Sequence, residues 1–275
     1  MSMNYNLKER AGNGLRIVNK IISMYNTHIN KGKVVVLVEG YYDIKFYFKL
    51  LDNDAVVLQQ TEGCNNMEYV SKELNSKGFV ILVIQDSDFR HFGVLGNNCN
   101  HLFTDYHDTE MTCFADNDFA TRYYNKLNNE GLVYNVESAF SDIKLLSYYK
   151  WYNMKYSVGI NFKDTIDDCI SRTPLLDKNY IDGKFGCSIR YAVIRTFLCD
   201  NPVSEEDYFH LMNGHDFLNR LCFQINSEDK SIGMTESNLQ KLLVDTYTFA
   251  DFQRTNLYDS IVQWEGAKQR KILRI

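Results

Sequence analysis

Proline is nearly missing from this chain of 275 residues, Pro174 and Pro202 being the only two. No repeated or biased tract accompanies the 15 glycines, so collagenous, disordered and low-complexity classes are excluded. Long apolar runs are missing as well. Val34 to Val38 and Phe79 to Ile84 are the longest, far below the roughly 18 residues that span a bilayer. The first residues carry charge with no apolar run after it, so no signal peptide is expected; the protein is expected to be soluble and cytoplasmic, with no membrane partner. The seven cysteines, at 64, 99, 113, 169, 187, 199 and 222, form no C-x-x-C pair, which argues for reduced thiols over a zinc ribbon or disulfide framework. No G-x-x-x-x-G-K-[ST] occurs, so the chain brings no P-loop of its own. Positive excess is absent too. Thirty lysines and arginines against 35 acids leave −5, which excludes coating nucleic acid through bulk charge but leaves local binding open.

What is present is an ordinary globular composition, 45% hydrophobic and 24% charged. A folded chain of this size buries roughly three quarters of its surface, so a core needs neither disulfide nor structural metal. At about 150 residues per domain, one elaborated domain or two small ones fit the length. Leu7, Ile17, Ile21, Ile22 and Tyr25 recur near helical spacing and predict a helix over 7–30, weakened by Gly12 and Gly14. Val34 to Val38 is a β-branched run suited to a strand covered on both faces; it stops at Glu39-Gly40. A helix over 41–51, a strand over 55–58, a turn-rich stretch at 62–66, a helix over 67–77 and a second apolar strand over 79–84 follow, ending in Gln85-Asp86-Ser87-Asp88. Strand, helix, strand, helix, strand predicts a parallel sheet with right-handed crossovers, whose chemistry collects beyond the carboxyl ends of the strands. Residues 101–104 suggest a fourth strand, and the stretch after it one helix carrying Asp108 and Glu110 near its start. Beyond about 130 the pattern is mainly helical; Ser204 with Glu206 and Asp207, and Thr235 with Asn238, read as helix starts. The expected organisation is an N-terminal helix over 1–32, an α/β domain over 33–130 and a mainly helical C-terminal domain over 131–275.

Residues 86 to 118 hold seven acids, Asp86, Asp88, Asp105, Asp108, Glu110, Asp116 and Asp118, against Arg90 alone, a local charge of −6. Glu39, Asp43 and Glu62 add to it if the strands are neighbours. Carboxylates packed at one edge repel unless protonated or neutralised by cations, and hard oxygen donors select Mg²⁺, Mn²⁺ or Ca²⁺ over zinc. Acidic loops are commonly solvated surface. The argument for a site is placement, since a carboxylate that ends an apolar strand is held on a rigid frame.

V-V-V-L-V-E-G-Y-Y-D at 34–43, followed by I-L-V-I-Q-D-S-D at 81–88, resembles the Toprim domain of primases, topoisomerases and overcoming-lysogenization-defect nucleases. The fold implied is a Toprim-like parallel sheet flanked by helices, with a mainly helical C-terminal region. The resemblance gives the glutamate role to Glu39, the Mg²⁺-binding pair to Asp86 and Asp88, a further metal-site role to Asp43 and an additional ligand or orienting role to Glu110. D-S-D-F at 86–89, T-D-Y-H-D-T-E at 104–110, G-H-D-F-L at 214–218 and N-L-Y-D-S-I-V-Q-W-E at 256–265 are similar to Toprim effector nucleases of the PARIS anti-phage type. That likeness implies a toxic endonuclease using Mg²⁺, or Mn²⁺ in its place, held silent by an ABC-type ATPase partner and cleaving RNA, transfer RNA in particular. Composition and spacing do not distinguish RNA from DNA. A DNA endonuclease, or a non-catalytic regulatory subunit on the same scaffold, is the alternative, and the helical C-terminal half leaves a homodimer open.

Haloacid-dehalogenase phosphatases also place Asp-x-Asp after an apolar strand, but they want Thr or Val where Arg90 stands, and on the first strand instead of the third. His91 and His107 could orient water or phosphate, though each reads first as a surface loop residue; His215 reads as a structural hydrogen bond at a helix start. Lys144, Lys150, Lys155 and Lys163 are candidates for a charge-stabilising lysine. Lys8, Arg10, Arg16, Lys20 and Lys31 at one end, and Lys268, Arg270, Lys271 and Arg274 at the other, could cradle a polynucleotide backbone or be solvated faces.

Overall fold

The computed structural model describes residues 3–93, 101–160, 162, 179, 183 and 189–274. Among them are strands β1 (Val34–Val38), β2 (Val56–Gln60), β3 (Ile81–Gln85) and β4 (His101–Phe103). The helices are α1 (Met3–Tyr25), α2 (Tyr41–Leu50), α3 (Cys64–Ser76), α4 (Thr109–Phe114), α5 (Asn117–Asn129) and α6 (Val136–Tyr156). They continue with α7 (Tyr191–Asp200), α8 (Tyr208–Leu211), α9 (Gly214–Glu228), α10 (Glu236–Thr246), α11 (Phe249–Phe252) and α12 (Asn256–Lys268). The class is α/β, with one sheet of four parallel strands flanked by helices. No described helix is long and apolar enough to cross a membrane.

The sheet order is β2-β1-β3-β4, with Val35 opposite both Val57 and Ile81. Every residue of β1 and β3 is buried, as parallel strands covered on both faces require. Alternation divides them. Val35, Leu37, Ile81 and Val83 pack with Ile17, Val18 and Ile21 of α1 and with Met67, Val70 and Leu74 of α3; Val34, Val36, Val38, Leu82 and Ile84 take the opposite face. The chain steps from β1 to β2 and then back across β1 to β3, so right-handed crossovers put α2 and α3 on opposite faces. Gly14 does not break α1: a Cβ there would lie 2.5 Å from Cδ1 of Tyr69, so the glycine lets α1 close on α3.

The compact units divide the chain differently from limits at 32 and 130. One unit comprises Met1–Asp86, Gly96–Asp105 and Thr248–Ile275; the other comprises Ser87–Leu95 and Tyr106–Tyr247. In the first, the C-terminal segment returns to the sheet. The Asp105 carboxylate accepts from the N–H groups of Asn256 at 2.7 Å and Leu257 at 2.8 Å, holding the start of α12 just past β4. Asp52 N–H donates to the Ile272 carbonyl, and Leu51 and Leu273 form an antiparallel bridge at the end of α2. Buried Glu265 accepts from the amides of Ile272 and Leu273 at 2.6 and 2.9 Å and fixes this return.

In the second unit α9 is central, with Phe217, Leu218, Leu221 and Ile225 buried and Phe140 stacked 4.3 Å from Phe217. Long sequence helices are broken here. Asp116 caps α5 by accepting from Asp118 and Phe119 N–H, separating it from α4; Asn213 caps α9; and in the first unit Thr248 caps α11. The starts read at Ser204 and Thr235 are capping boxes, with Asp207 and Asn238 returning the bond. Strand β2 runs to Gln60 and α1 stops at Tyr25, short of 30.

Asp105→Ala removes an acceptor for the first two amides of α12 and should cost about 1 kcal/mol. Urea unfolding and hydrogen exchange at the amides of Asn256 and Leu257 measure it; unchanged exchange there would show that the carboxylate does not hold the helix.

Candidate functional site

Because all four strands are parallel, their carboxyl ends share one edge of the first unit. Glu39 directly follows β1 and Asp86 directly follows β3; Glu62 and Asp105 lie two residues beyond β2 and β4. β1 and β3 are neighbours at the point where the strand order reverses, the place where open α/β sheets bind ligands. The loop at Glu39 is fixed by backbone: Thr61 donates through N–H and Oγ1 to the Val38 carbonyl, and Gly63 N–H to the Glu39 carbonyl. Both Glu39 and Asp86 are half-buried.

The acids at the other two strand ends hold partners within the same unit. Glu62, left-handed at φ 58°, takes the Arg16 guanidinium on both oxygens at 2.7 Å, an exposed pair of small energetic value. Asp105 caps α12, and burial raises its carboxyl above the usual range despite the amides it accepts. Asp43 turns one oxygen back to the Gly40 N–H at 2.8 Å, closing the first turn of α2.

The second unit holds Asp88 and Glu110. Asp88 is left-handed at φ 46°, its N–H donating to the His107 carbonyl at 2.7 Å and its carboxylate 3.9 Å from His107 Nε2. Desolvation raises its carboxyl against Arg90 and Lys150, but with 51% of the side chain open to solvent, water screens much of that effect. Glu110 is buried and accepts from Gln240 Nε2 at 2.5 Å, with His215 Nε2 at 3.9 Å. Beside it Asp108, fully enclosed, accepts from Met111 N–H at 2.8 Å and Gly214 N–H at 2.6 Å; burial and Glu110 push its carboxyl well up. A Cβ on Gly214 would lie 2.3 Å from Glu110 Cβ and 2.7 Å from Asp108 Oδ1. Burial opposes the His215 imidazolium, yet Glu110 and the bonded Glu236 hold its pKa up to about 10.

The lysines and histidines are engaged within this unit. Lys144 bonds the Tyr208 hydroxyl, Lys150 pairs with Asp216 and Lys155 donates to Asn201; Lys163 lies outside the described residues. His107 is not a surface loop residue: it is 3% exposed, and burial lowers its pKa to about 4. His91 pairs with Asp207 at 2.9 Å and stacks at 3.8 Å on His210, which burial also lowers to about 4. His215 sits in the first turn of α9, as its sequence position suggests.

The donors at the sheet edge are carboxylate oxygens, the chemistry a hard divalent ion selects. Among the described residues, however, no group of three or more His, Cys, Asp or Glu side chains is placed to hold a metal ion. The structure brings Glu39, Asp43 and Asp86 into one unit, and engages Asp88 and Glu110 in the other. Glu110 is a buried member of the cluster around Gly214, one of its carboxylate oxygens accepting from Gln240 of α10. Gly214, Glu236 and Gln240 were missed by sequence reasoning; the Asn-Gly helix start at 213–214 was the one signal for them. Comparison with protein-family models, curated proteins and solved structures finds no match.

Gly214→Ala would ordinarily favour a helix, so its sign is diagnostic: overpacking against Asp108 and Glu110 should cost about 1–3 kcal/mol in urea unfolding. No loss of stability would contradict the close approach. A folded histidine pKa near 4, below about 6.5 unfolded, means that His107 lends stability complete above pH 6.5 and lost as pH falls toward 4. The loss is roughly 3 kcal/mol, with His210 acting in the same sense. Unfolding at pH 7 and pH 4.5 should show it, and His107→Gln should flatten the dependence; an equal slope in the variant would remove His107 as its source.

Proposed function

We propose that the chain is a divalent-cation-dependent phosphodiester hydrolase of Toprim type, with Glu39 and Asp86 as its central carboxylates. One observation carries this reading: both acids end the two central, fully buried parallel strands, on the edge where the strand order reverses. Asp43, one helical turn past Glu39, belongs to the set that the Toprim resemblance implies, as do Asp88, two residues past Asp86, and Glu110. Mg²⁺, or Mn²⁺ in its place, would supply the positive charge that makes such an edge attractive to a phosphodiester. The chain's own part is to hold Glu39 through the bonds at Val38 and Gly63, and to keep Asp43 in register through Gly40.

The remaining features rest on the resemblance alone: a cytoplasmic toxic effector, an RNA substrate, transfer RNA above all, and restraint by an ABC-type ATPase. A non-catalytic scaffold is the second reading, favoured by the lack of a gathered three-ligand group among the described residues. Purified chain incubated with transfer RNA or plasmid DNA separates the two. Cleavage with Mg²⁺, none with a chelator, and a loss of at least about 100-fold in Glu39→Ala and Asp86→Ala are expected. Intact nucleic acid in every lane, with no divalent ion bound by calorimetry, would leave the scaffold reading standing.

A further inference from the structure

We infer that the outer face of α2 is a binding track for single-stranded nucleic acid, leading away from the carboxylate edge; the inference rests on the phosphodiester reading of that edge. Helix α2 buries Phe46, Tyr47 and Leu50 and leaves two other aromatics in solvent, Tyr41 at 59% and Phe48 at 54%. Scattered exposed apolar side chains need no explanation. These are not scattered: Tyr41, Lys45 and Phe48 follow one another at i, i+4 and i+7, a single stripe about 10 Å long. The stripe starts two residues after Glu39.

Its chemistry suits a base and its phosphate together. Tyr41 packs edge-on to Tyr42 at 5.8 Å, which braces the ring, and Lys45 Nζ lies 4.5 Å from the Tyr41 centroid and 5.4 Å from that of Tyr42. The ammonium covers one side of a ring that stays largely in solvent, and an exposed aromatic with a cation beside it is the pairing that single-strand binders use, stacking the base and neutralising its backbone. The far end of the stripe is basic as well. The returning C-terminal segment places Arg274 there, its N–H donating to the Leu50 carbonyl and its guanidinium to the Lys49 carbonyl at 3.4 Å. Two of the acids nearby are turned to backbone amides: Asp43 to that of Gly40 and Asp52 to that of Asp54 at 2.9 Å. A duplex hides its base faces, so the stripe fits unpaired nucleotides.

The test is binding, read apart from cleavage. Fluorescence anisotropy of a labelled oligouridylate with the full chain in a chelator reports affinity with no metal present. Tyr41→Ala is expected to weaken binding roughly 5- to 150-fold, and Tyr41→Phe to keep it. Lys45→Ala should lower the slope of log affinity against log salt by about 0.7, a change that a purely structural role does not produce. Thermal unfolding, unchanged for these exposed positions, controls for folding. Equal affinity in Tyr41→Ala, equal binding of a duplex, or no oligonucleotide binding at all overturns the inference, the last pointing to a protein partner for this face. Binding through Tyr41 without any cleavage in Mg²⁺ supports the track and overturns the hydrolase. Cleavage that is indifferent to Tyr41→Ala does the reverse.

Discussion

Burial of β1 and β3 on both faces is the constraint from which the first unit follows. A strand with all five residues enclosed has no solvent face, so a helix must cover each side and consecutive strands must be joined by crossovers. Crossovers make the strands parallel, and parallel strands deliver every carboxyl end to one edge. The positions of Glu39, Glu62, Asp86 and Asp105 along that edge are therefore consequences of where apolar runs stop. A slip of one residue would turn each strand's inward set to the other face and move the acids with it. The same burial makes the edge rigid: the Val38 carbonyl receives both bonds of Thr61, so the residue carrying Glu39 is held from one side by the core and from the other by the β2 loop.

That logic explains what could be read from the chain. The parallel sheet and its acidic edge were legible because each depends on a contiguous run, Val34 to Val38 or Ile81 to Gln85, and on the residue after it. Fates of individual acids were not, because their partners come from far along the chain. Asp105 is held by amides 151 and 152 residues away, and Glu110 by an amide side chain 130 residues away. The limits drawn at 32 and 130 differ from the compact units for the same reason: a segment that begins at Thr248 and ends beside α2 cannot be assigned from local composition. Broken helices were a nearer miss. Asp116, Asn213 and Thr248 are residue types that cap, but apolar periodicity ran through them and hid the stops.

The charge of −6 over residues 86 to 118 has a different meaning once its members are separated. Asp105, Asp108 and Asp116 accept backbone amides at helix starts, where an anion is stabilised by the exposed N–H groups. Asp108 and Glu110 crowd Gly214, and their mutual repulsion is met by amides, by Gln240 and by the His215 imidazolium. Position separates these acids: Glu39 and Asp86 end central strands, whereas Asp105, Asp108 and Asp116 cap helices.

The same separation would reconcile a net charge of −5 with the nucleic-acid substrate proposed above. A polyanion meets repulsion at the strand ends unless a cation is present, whereas Lys45, Lys49 and Arg274 along and beyond α2 attract it at any metal concentration. Charges farther apart than the Debye length, about 8 Å at physiological salt, act almost independently. The stripe from Tyr41 to Phe48 spans about 10 Å, so a backbone bound at its basic end would leave the charge of the acidic start largely uncancelled. On the proposed reading, metal binding would belong to the strand ends and backbone binding to the basic side chains along α2. In such an arrangement the overall charge of the chain says little about what it binds.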